Sequence, residues 1–367
     1  MRVQLAERSE RKLSARIYPE VAIATAGLPF TFMQKYILKI NGKEDLTFQE
    51  MSEVMRSIMS GSVSKEDLSA FLLALRKKGA GINEITGAAK IMREFAIAVS
   101  ISNDVVLDTC GTGGDKSGTF NISTAVAFVV AGAGCVVAKH GNRSVSSKCG
   151  SADVLEYLGV NIGMKVDRLA ECLNKVGIAF LFAQNLHPAM RYAAAVRKEL
   201  GVETIFNVLG PLTNPSKATH QMMGVYSKDL VEPMAYVLKN LGLKRALVVH
   251  GEDGLDEITT TANTFASEFN GSDVVSYVID PSIYQIKKAS LKDLQGADVS
   301  INAKIISDIL EGKTGAQRDI VVLNAAHALY IASKVKTVKD GVAVACRSID
   351  SKKAQEKLNV LIAFTNQ

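Results

Sequence analysis

From residue 33 to about residue 100, apolar positions recur at intervals of three and four, and the segment contains no proline. That is the pattern of amphipathic helices. Leu46-Thr47 followed by Glu50 reads as a capping box with Thr47 as N-cap, after which Met51, Val54, Met55 and Ile58 share one helical face. Ser64 opens a second helix in the same way, with Leu68, Phe71, Leu72 and Leu75 on its buried side. Asn83 opens a third, through Ile85, Ala88, Ile91 and Met92. These elements predict a small all-helical unit. The texture changes at Val105. The short β-branched run at 105–107 ends in a glycine-rich loop, an apolar helix follows at about 123–131, and 135–138 reads as the next strand. This is a strand, helix, strand unit with a parallel crossover. Further strands are predicted at 179–182, 221–226, 246–250 and 274–279, with a helix at 230–241. Residues 166–200 turn mostly helical again, and 201–215, rich in Gly, Pro and Asn, read as a loop or hinge.

The domain organisation expected from this pattern has three parts. Residues 1–32 form an N-terminal extension, either disordered or reflecting an upstream start. Residues 33–101 with 166–204 form a helical domain. Residues 102–165 with 205–367 form a larger α/β domain with a central, mainly parallel sheet. The longest apolar stretch, 125–138, is too short for a bilayer, which takes about 20 residues, so no membrane partner is expected. The chain has 367 residues, of which 47% are hydrophobic and 22% charged, the make-up of a folded globular protein. Its five cysteines never form a C-x-x-C pair, which favours reduced thiols and a cytoplasmic location. The net charge of +6 is spread along the chain; it falls short of a nucleic-acid-binding signature and suits small anionic ligands equally well. There is no Trp, so indole platforms for stacked bases are excluded.

The chemistry concentrates in two segments. The first runs Asp108-Thr109-Cys110-Gly111-Thr112-Gly113-Gly114-Asp115-Lys116-Ser117-Gly118-Thr119-Phe120-Asn121-Ile122-Ser123-Thr124. Glycines between a strand and a helix let backbone N–H groups approach an anion, and the helix N-terminus adds partial positive charge. The mononucleotide P-loop pattern fails because Asp115 stands where a Gly must precede Lys116, and the dinucleotide pattern fails because Lys116 takes its third Gly position. A phosphate cradle remains, with a plain tight turn as the bland alternative. Asn121, Ser123 and Thr124 add donors where the helix starts, although N-capping would need only one of them. The second segment, Lys139-His140-Gly141-Asn142-Arg143-Ser144-Val145-Ser146-Ser147-Lys148-Cys149-Gly150-Ser151, follows the next strand. In an open α/β sheet both loops should face one crevice at the carboxyl ends of the strands. Its cations and hydroxyls suit a polyanion; a solvated surface turn is the alternative.

In this order and spacing, GTGGD, NIST, KHGNR and SSKCGSAD resemble the anthranilate phosphoribosyltransferase family. His187-Pro188-Ala189-Met190 with Arg197, the run FNVLGPLTNP at 206–215, and Gly254-Leu255-Asp256-Glu257 agree with it. The resemblance extends from about residue 33 to the C-terminus. It implies the nucleoside phosphorylase/phosphoribosyltransferase fold, a homodimer, and transfer of a phosphoribosyl group from 5-phosphoribosyl 1-diphosphate to the amine of anthranilate, the second step from chorismate to tryptophan. By resemblance, Gly111, Gly114, Asp115, Thr119, Asn121, Ile122, Ser123 and Thr124 bind the phosphoribosyl donor. Lys139, His140, Gly141, Asn142, Arg143, Ser144, Val145, Ser146, Ser147 and Ser151 do so with them. Gly111, Asn142 and Arg197 match the anthranilate-binding positions, and Ser123, Asp256 and Glu257 match the ligands of two Mg2+ ions. Catalytic roles would fall to Lys139 beside the leaving diphosphate, to His140 near the amine, and to Asn142. On spacing alone Asp256-Glu257 is an acidic loop pair, and Arg197 an exposed helix cation beside Glu199. Two rivals stand beside this reading. One is a pyrimidine nucleoside phosphorylase; the other is a non-enzymatic relative that binds nucleic acid.

Overall fold

The computed structural model describes residues 32–144 and 149–367. The N-terminal extension, together with Val145, Ser146 and Ser147 of the second loop, lies outside the described residues. The chain divides into two compact units. The first is helical and starts with α1 (Phe32–Asn41), α2 (Phe48–Met59), α3 (Lys65–Lys78) and the first part of α4 (Ile82–Phe95). The capping box at Thr47 is formed: the Glu50 amide donates to Thr47 Oγ1 (3.2 Å) and the Thr47 amide donates to Glu50 Oε2 (2.8 Å). Ser64 caps α3 through the Asp67 amide. The third helix starts at Ile82, one residue before the expected Asn83, because Glu84 satisfies its first turn by accepting from the Gly81 amide at 2.7 Å. Glu84 is fully buried; it also accepts from the Leu46 amide (3.0 Å) and Lys78 Nζ (2.8 Å). One carboxylate thus ties together the ends of three helices.

The second unit is built on a seven-stranded sheet. β1 (Val106–Asp108) leads through the glycine loop to α5 (Ile122–Gly132), and β2 (Val136–Gly141) follows. Next come α6 (Ser151–Tyr157), α7 (Val166–Val176), β3 (Ile178–Phe182) and the short α8 (Ala183–Leu186). The chain returns to the helical unit as α9 (Arg191–Leu200) and then, through α10 (Phe206–Leu209), enters β4 (His220–Gly224), α11 (Val231–Asn240) and β5 (Arg245–Gly251). The hairpin β6 (Thr264–Phe269) and β7 (Val274–Ile279) precedes the terminal helices α12 (Val299–Leu310), α13 (Ala316–Ile331), α14 (Val338–Asp350) and α15 (Lys353–Thr365). The strand order is β3-β2-β1-β4-β5-β6-β7. Strands β1 to β5 pair in parallel, and β6 and β7 are antiparallel. α5 is buried almost throughout its length and forms the centre of the core, as an unbroken apolar helix must.

Two expectations are corrected here. The second pass of the helical unit was expected at 166–204, but the structure confines it to Ala189–Phe206. Every residue of β3 is buried in the sheet beside β2, and α7 packs on it, so 166–188 belong to the α/β unit. The other correction is the strand β6, absent from the sequence reading because Ser267 and Glu268 interrupt its apolar run. Both are buried with partners: Ser267 Oγ meets Ser276 Oγ at 2.7 Å, and Glu268 pairs with Arg245 at 2.6 Å. No helix among the described residues is long and apolar enough to cross a membrane.

Candidate functional site

The chain passes from β1 to β2 and β3 on one side and resumes at β4 on the other, so the order reverses beside β1. Loops at the carboxyl ends of such strands diverge and leave a crevice. Gly224, which ends β4, closes one wall. A Cβ on Gly224 would lie 1.5 Å from the Asp256 carbonyl oxygen, and one on Gly111 would lie 2.9 Å from the Gly224 carbonyl. Only glycine admits both approaches. Together they bring the glycine loop against the loop after β5: the Thr112 amide donates to the Gly224 carbonyl (2.9 Å) and the Gly113 amide to Asp256 Oδ2 (2.8 Å). Positive φ values at Gly113, Gly114, Lys116 and Gly118 give the loop its winding course. Its later half is fixed to 294–296, with Thr119 bridging to Gln295.

Three carboxylates converge there. Asp115 accepts from Ser117 N and Oγ, and the Asp256 amide donates to Asp115 Oδ2 at 3.4 Å. Glu257 Oε1 accepts from the Ser123 amide at the start of α5 (3.1 Å). Burial first, and then the neighbouring Asp115, push Asp256 up to about 7. Burial and Asp256 push Glu257 well above the usual carboxylate range. Crowded anions of this kind form a site that a hard cation would relieve, and the donors are all oxygens. Lys139, buried at the end of β2, directs its ammonium to Ser123 Oγ (3.3 Å), Thr109 Oγ1 (3.4 Å) and the Thr109 carbonyl (3.5 Å). A fixed cation thus lies beside the helix start and the acidic cluster.

The neighbouring residue His140 is also buried; its Nε2 lies 3.2 Å from Nε2 of His187. Burial holds both rings well below the ordinary histidine range, His187 at about 4. Both are therefore neutral at pH 7, and one donates to the other. Asn142 Oδ1 accepts from Gln184 Nε2 (3.3 Å) and from the Arg143 amide (2.8 Å). Ser151 Oγ donates to the Asn142 carbonyl. Asn121 bridges the Cys149 carbonyl and Asn302.

Not every residue expected in the site turns toward it. The Arg143 guanidinium is engaged by Asp153 and Glu156 of the α6 helix, each at 2.8 Å, and lies over the Phe182 ring. Ser144 offers its amide to Asp153. Ile122 and Thr124 are buried, and the Thr124 hydroxyl has no hydrogen-bond partner among the described residues. Arg197 belongs to the helical unit, on α9, where it is half-buried and stacks on Phe206 at 5.2 Å. Asp108, Cys110 and His140 come close enough to suggest a metal. They do not make one: both Asp108 oxygens already accept hydrogen bonds, and burial keeps the Cys110 proton on. Sequence reasoning assigned no role to Asp108, Asn214, Gln221, Asn302 or Asn324. Gln221 holds the Pro211 carbonyl (2.8 Å), and Asn324 holds both backbone groups of Ile258, next to the acidic pair. The only signal for them was a polar residue ending or interrupting a buried run.

Fold and site define a class, a two-domain glycosyltransferase. A family model described as the glycosyl transferase family, a/b domain, matches residues 103–355, and one for the helical bundle domain of that family matches residues 34–96. The anthranilate phosphoribosyltransferase of Petrotoga mobilis is 50% identical over 331 residues, covering 90% of this chain and 96% of the relative. That of Thermoanaerobacter sp. is 52% identical, covering 90% and 98%. Among solved structures, the Thermus thermophilus enzyme superposes with a TM-score of 0.86 at 41% identity, covering 90% of this chain and 99% of that one. The Saccharomyces cerevisiae enzyme in complex with PRPP and Mg gives 0.82 at 27% identity, covering 92% and 99%. This chain belongs to the anthranilate phosphoribosyltransferase family. The phosphorylase and nucleic-acid-binding alternatives fall with that assignment.

Proposed function

We propose that the residues of this crevice carry the family's reaction, transfer of the phosphoribosyl group of 5-phosphoribosyl 1-diphosphate to the anthranilate nitrogen, and that they divide it as follows. The glycine-loop amides from Gly111 to Gly114, with Thr119, Asn121 and the start of α5, hold the diphosphate. Asp115, Asp256, Glu257 and the Ser123 hydroxyl would hold Mg2+, and three carboxylates offer enough oxygen ligands for two ions. When bound, the ions neutralise diphosphate charge. Lys139 adds a fixed positive charge as the bond from the anomeric carbon to the diphosphate oxygen breaks and its electron pair leaves with the diphosphate. The anthranilate nitrogen forms the new bond to that carbon and then loses a proton. A neutral aromatic amine needs no strong base before attack, so positioning and charge stabilisation supply the rate.

His140, kept neutral by burial, can accept a hydrogen bond from the amine. Asn142 and the Gly111 backbone take the acceptor's polar groups, and Arg197 takes its carboxylate through two parallel N–H bonds. The partners of Arg143 leave its side chain a bracing role for the second loop, with the backbone of 141–144 facing the ligand. A homodimer and a cytoplasmic location belong to the same reading. Phe32 and Leu38, exposed on α1, supply apolar surface for the dimer. The single observation that carries the proposal is the meeting of the glycine loop, Lys139 and Ser123, and the carboxylate trio at one end of the sheet. Mixing enzyme, phosphoribosyl diphosphate, Mg2+ and anthranilate should extinguish anthranilate fluorescence; persistence of the signal in the full mixture refutes it.

A further inference from the structure

We propose that Asp108 and Asn214 form a positioning pair that sets the Lys139–His140 segment for the transfer step; the inference rests on the phosphoribosyl-transfer reading above. β1 pairs with β2 only at Val106↔Val136 and Leu107↔Val137 before it turns away into the glycine loop. β2 continues beside β3 as far as Gly141. Its β1-facing backbone groups beyond Val137 therefore lose their strand partner inside the core, where an unpaired amide or carbonyl is costly. Two side chains take the missing strand's place. The His140 amide donates to Asp108 Oδ1 at 3.2 Å, and Asn214 Nδ2 donates to the Ala138 carbonyl at 2.8 Å.

Both side chains are themselves over-determined. Asn214 Nδ2 also donates to Asp108 Oδ2 at 2.8 Å, while Asn214 Oδ1 accepts from Ser216 N (2.9 Å) and Ser216 Oγ (2.7 Å). The Ser216 amide can only donate, so the orientation of the Asn214 carboxamide is unambiguous. Asp108 is 0% exposed and Asn214 2%. A buried carboxylate is a poor way to close a core when an apolar residue would serve. Here it lies close enough to Lys139 and to the half-buried Arg93 to interact with the charge of each. Lys139 stands between the two braced groups, so its backbone is held from both sides while its ammonium reaches Thr109 and Ser123. The same brace fixes the root of His140, whose ring meets His187. Divergence of β1 from β2 opens the crevice, and the Asp108–Asn214 pair keeps the cut edge of β2 rigid.

The test exchanges the pair. Asp108→Asn sets amide against amide, Asn214→Asp sets carboxylate against carboxylate and strips the Ala138 carbonyl of its donor, and the double exchange restores the donor–acceptor contact between the two side chains alone. With full-length enzyme, saturating substrates and Mg2+, each single variant should lose more than about ten-fold in kcat per folded molecule. The anthranilate KM should move less than about three-fold, and the double variant should recover at least about five-fold over the weaker single. Should the singles not fold, Ser216→Ala, which removes one of the two donors on Asn214 Oδ1, should lower kcat at unchanged Tm. Singles that lower Tm alone with wild-type kcat, a double variant no better than Asn214→Asp, or a Ser216→Ala enzyme of full kcat each overturn the proposal. An inactive wild-type enzyme in the same assay would instead count against the transferase reading.

Discussion

Arg197 illustrates how one side chain's surroundings change its reading. In the sequence it is a helix cation beside Glu199. In the structure it is half-buried over Phe206, and burial holds its guanidinium below the usual arginine range. The charged hydrogen bond proposed between Arg197 and the acceptor's carboxylate would be worth about 1.5–3 kcal/mol. Arg197→Ala should therefore raise the anthranilate KM by about ten- to a hundred-fold and leave the phosphoribosyl diphosphate KM nearly unmoved. Steady-state kinetics with each substrate varied in turn checks this, and equal effects on both substrates remove Arg197 from the acceptor's site. Glu84 is the structural counterpart. Its carboxylate, fully buried and bonded to Lys78, Leu46 and Gly81, should be costly to strand. Lys78→Ala is expected to destabilise the helical unit by about 3 kcal/mol, seen as a lower urea midpoint. A midpoint unchanged from wild type would mean that neither Glu84 nor Asp45, which also reaches Lys78, depends on that ammonium.

At the scale of elements, the helices of the first unit were the most legible part of the chain, whereas the four terminal helices α12 to α15 were not read from the sequence. Local signals, a capping box at Thr47 and apolar spacing on α2 and α3, act within a turn or two and need no tertiary partner. The parallel strands were legible because burial on both faces makes them continuous apolar runs. β6 was not, since Glu268 is tolerated there through Arg245, 23 positions away, and through the Tyr277 hydroxyl of β7, and no local pattern announces such partners. Loop packing belongs to the same scale. Gly224→Ala places a methyl group into the Asp256 carbonyl, which must push the 254–257 loop out of place. The variant should fold, because the obstruction is confined to a loop, and it should bind Mg2+ at least about ten-fold more weakly by calorimetric titration. Wild-type affinity would show that the loop after β5 does not hold the metal.

For the whole molecule, the buried ionisable groups set opposing pH dependences. Asp256, raised to about 7, and Glu257, held well above the usual carboxylate range, hold protons more tightly folded than unfolded. Their contribution to stability is full below the ordinary carboxylate pKa and is lost as pH rises through about 7. His187, His220 and His327, each held at about 4 by burial, work the other way. Their contribution is full above the ordinary histidine value and is lost as pH falls toward 4. A divalent cation competes with protons only for the carboxylates, so the rise in Tm that Mg2+ produces should be larger at pH 8 than at pH 6 by calorimetry. Equal rises at both pH values would place the cation elsewhere.

Residue order by itself determined the helical unit's onset, most strands of the sheet, the phosphate-cradle chemistry and, through joined motifs, the family. These depend on local periodicity and on runs whose residues act as neighbours. Only the tertiary structure decided that 166–188 join the sheet, that Arg143 is spent on Asp153 and Glu156, and that Asp115 stands with Asp256 and Glu257. It alone showed that Asp108 and Asn214 replace a strand partner for β2. The physical reason is shared. A side chain, apolar or polar, settles against the partner that satisfies it, and that partner is chosen by where the chain returns rather than by what stands beside it.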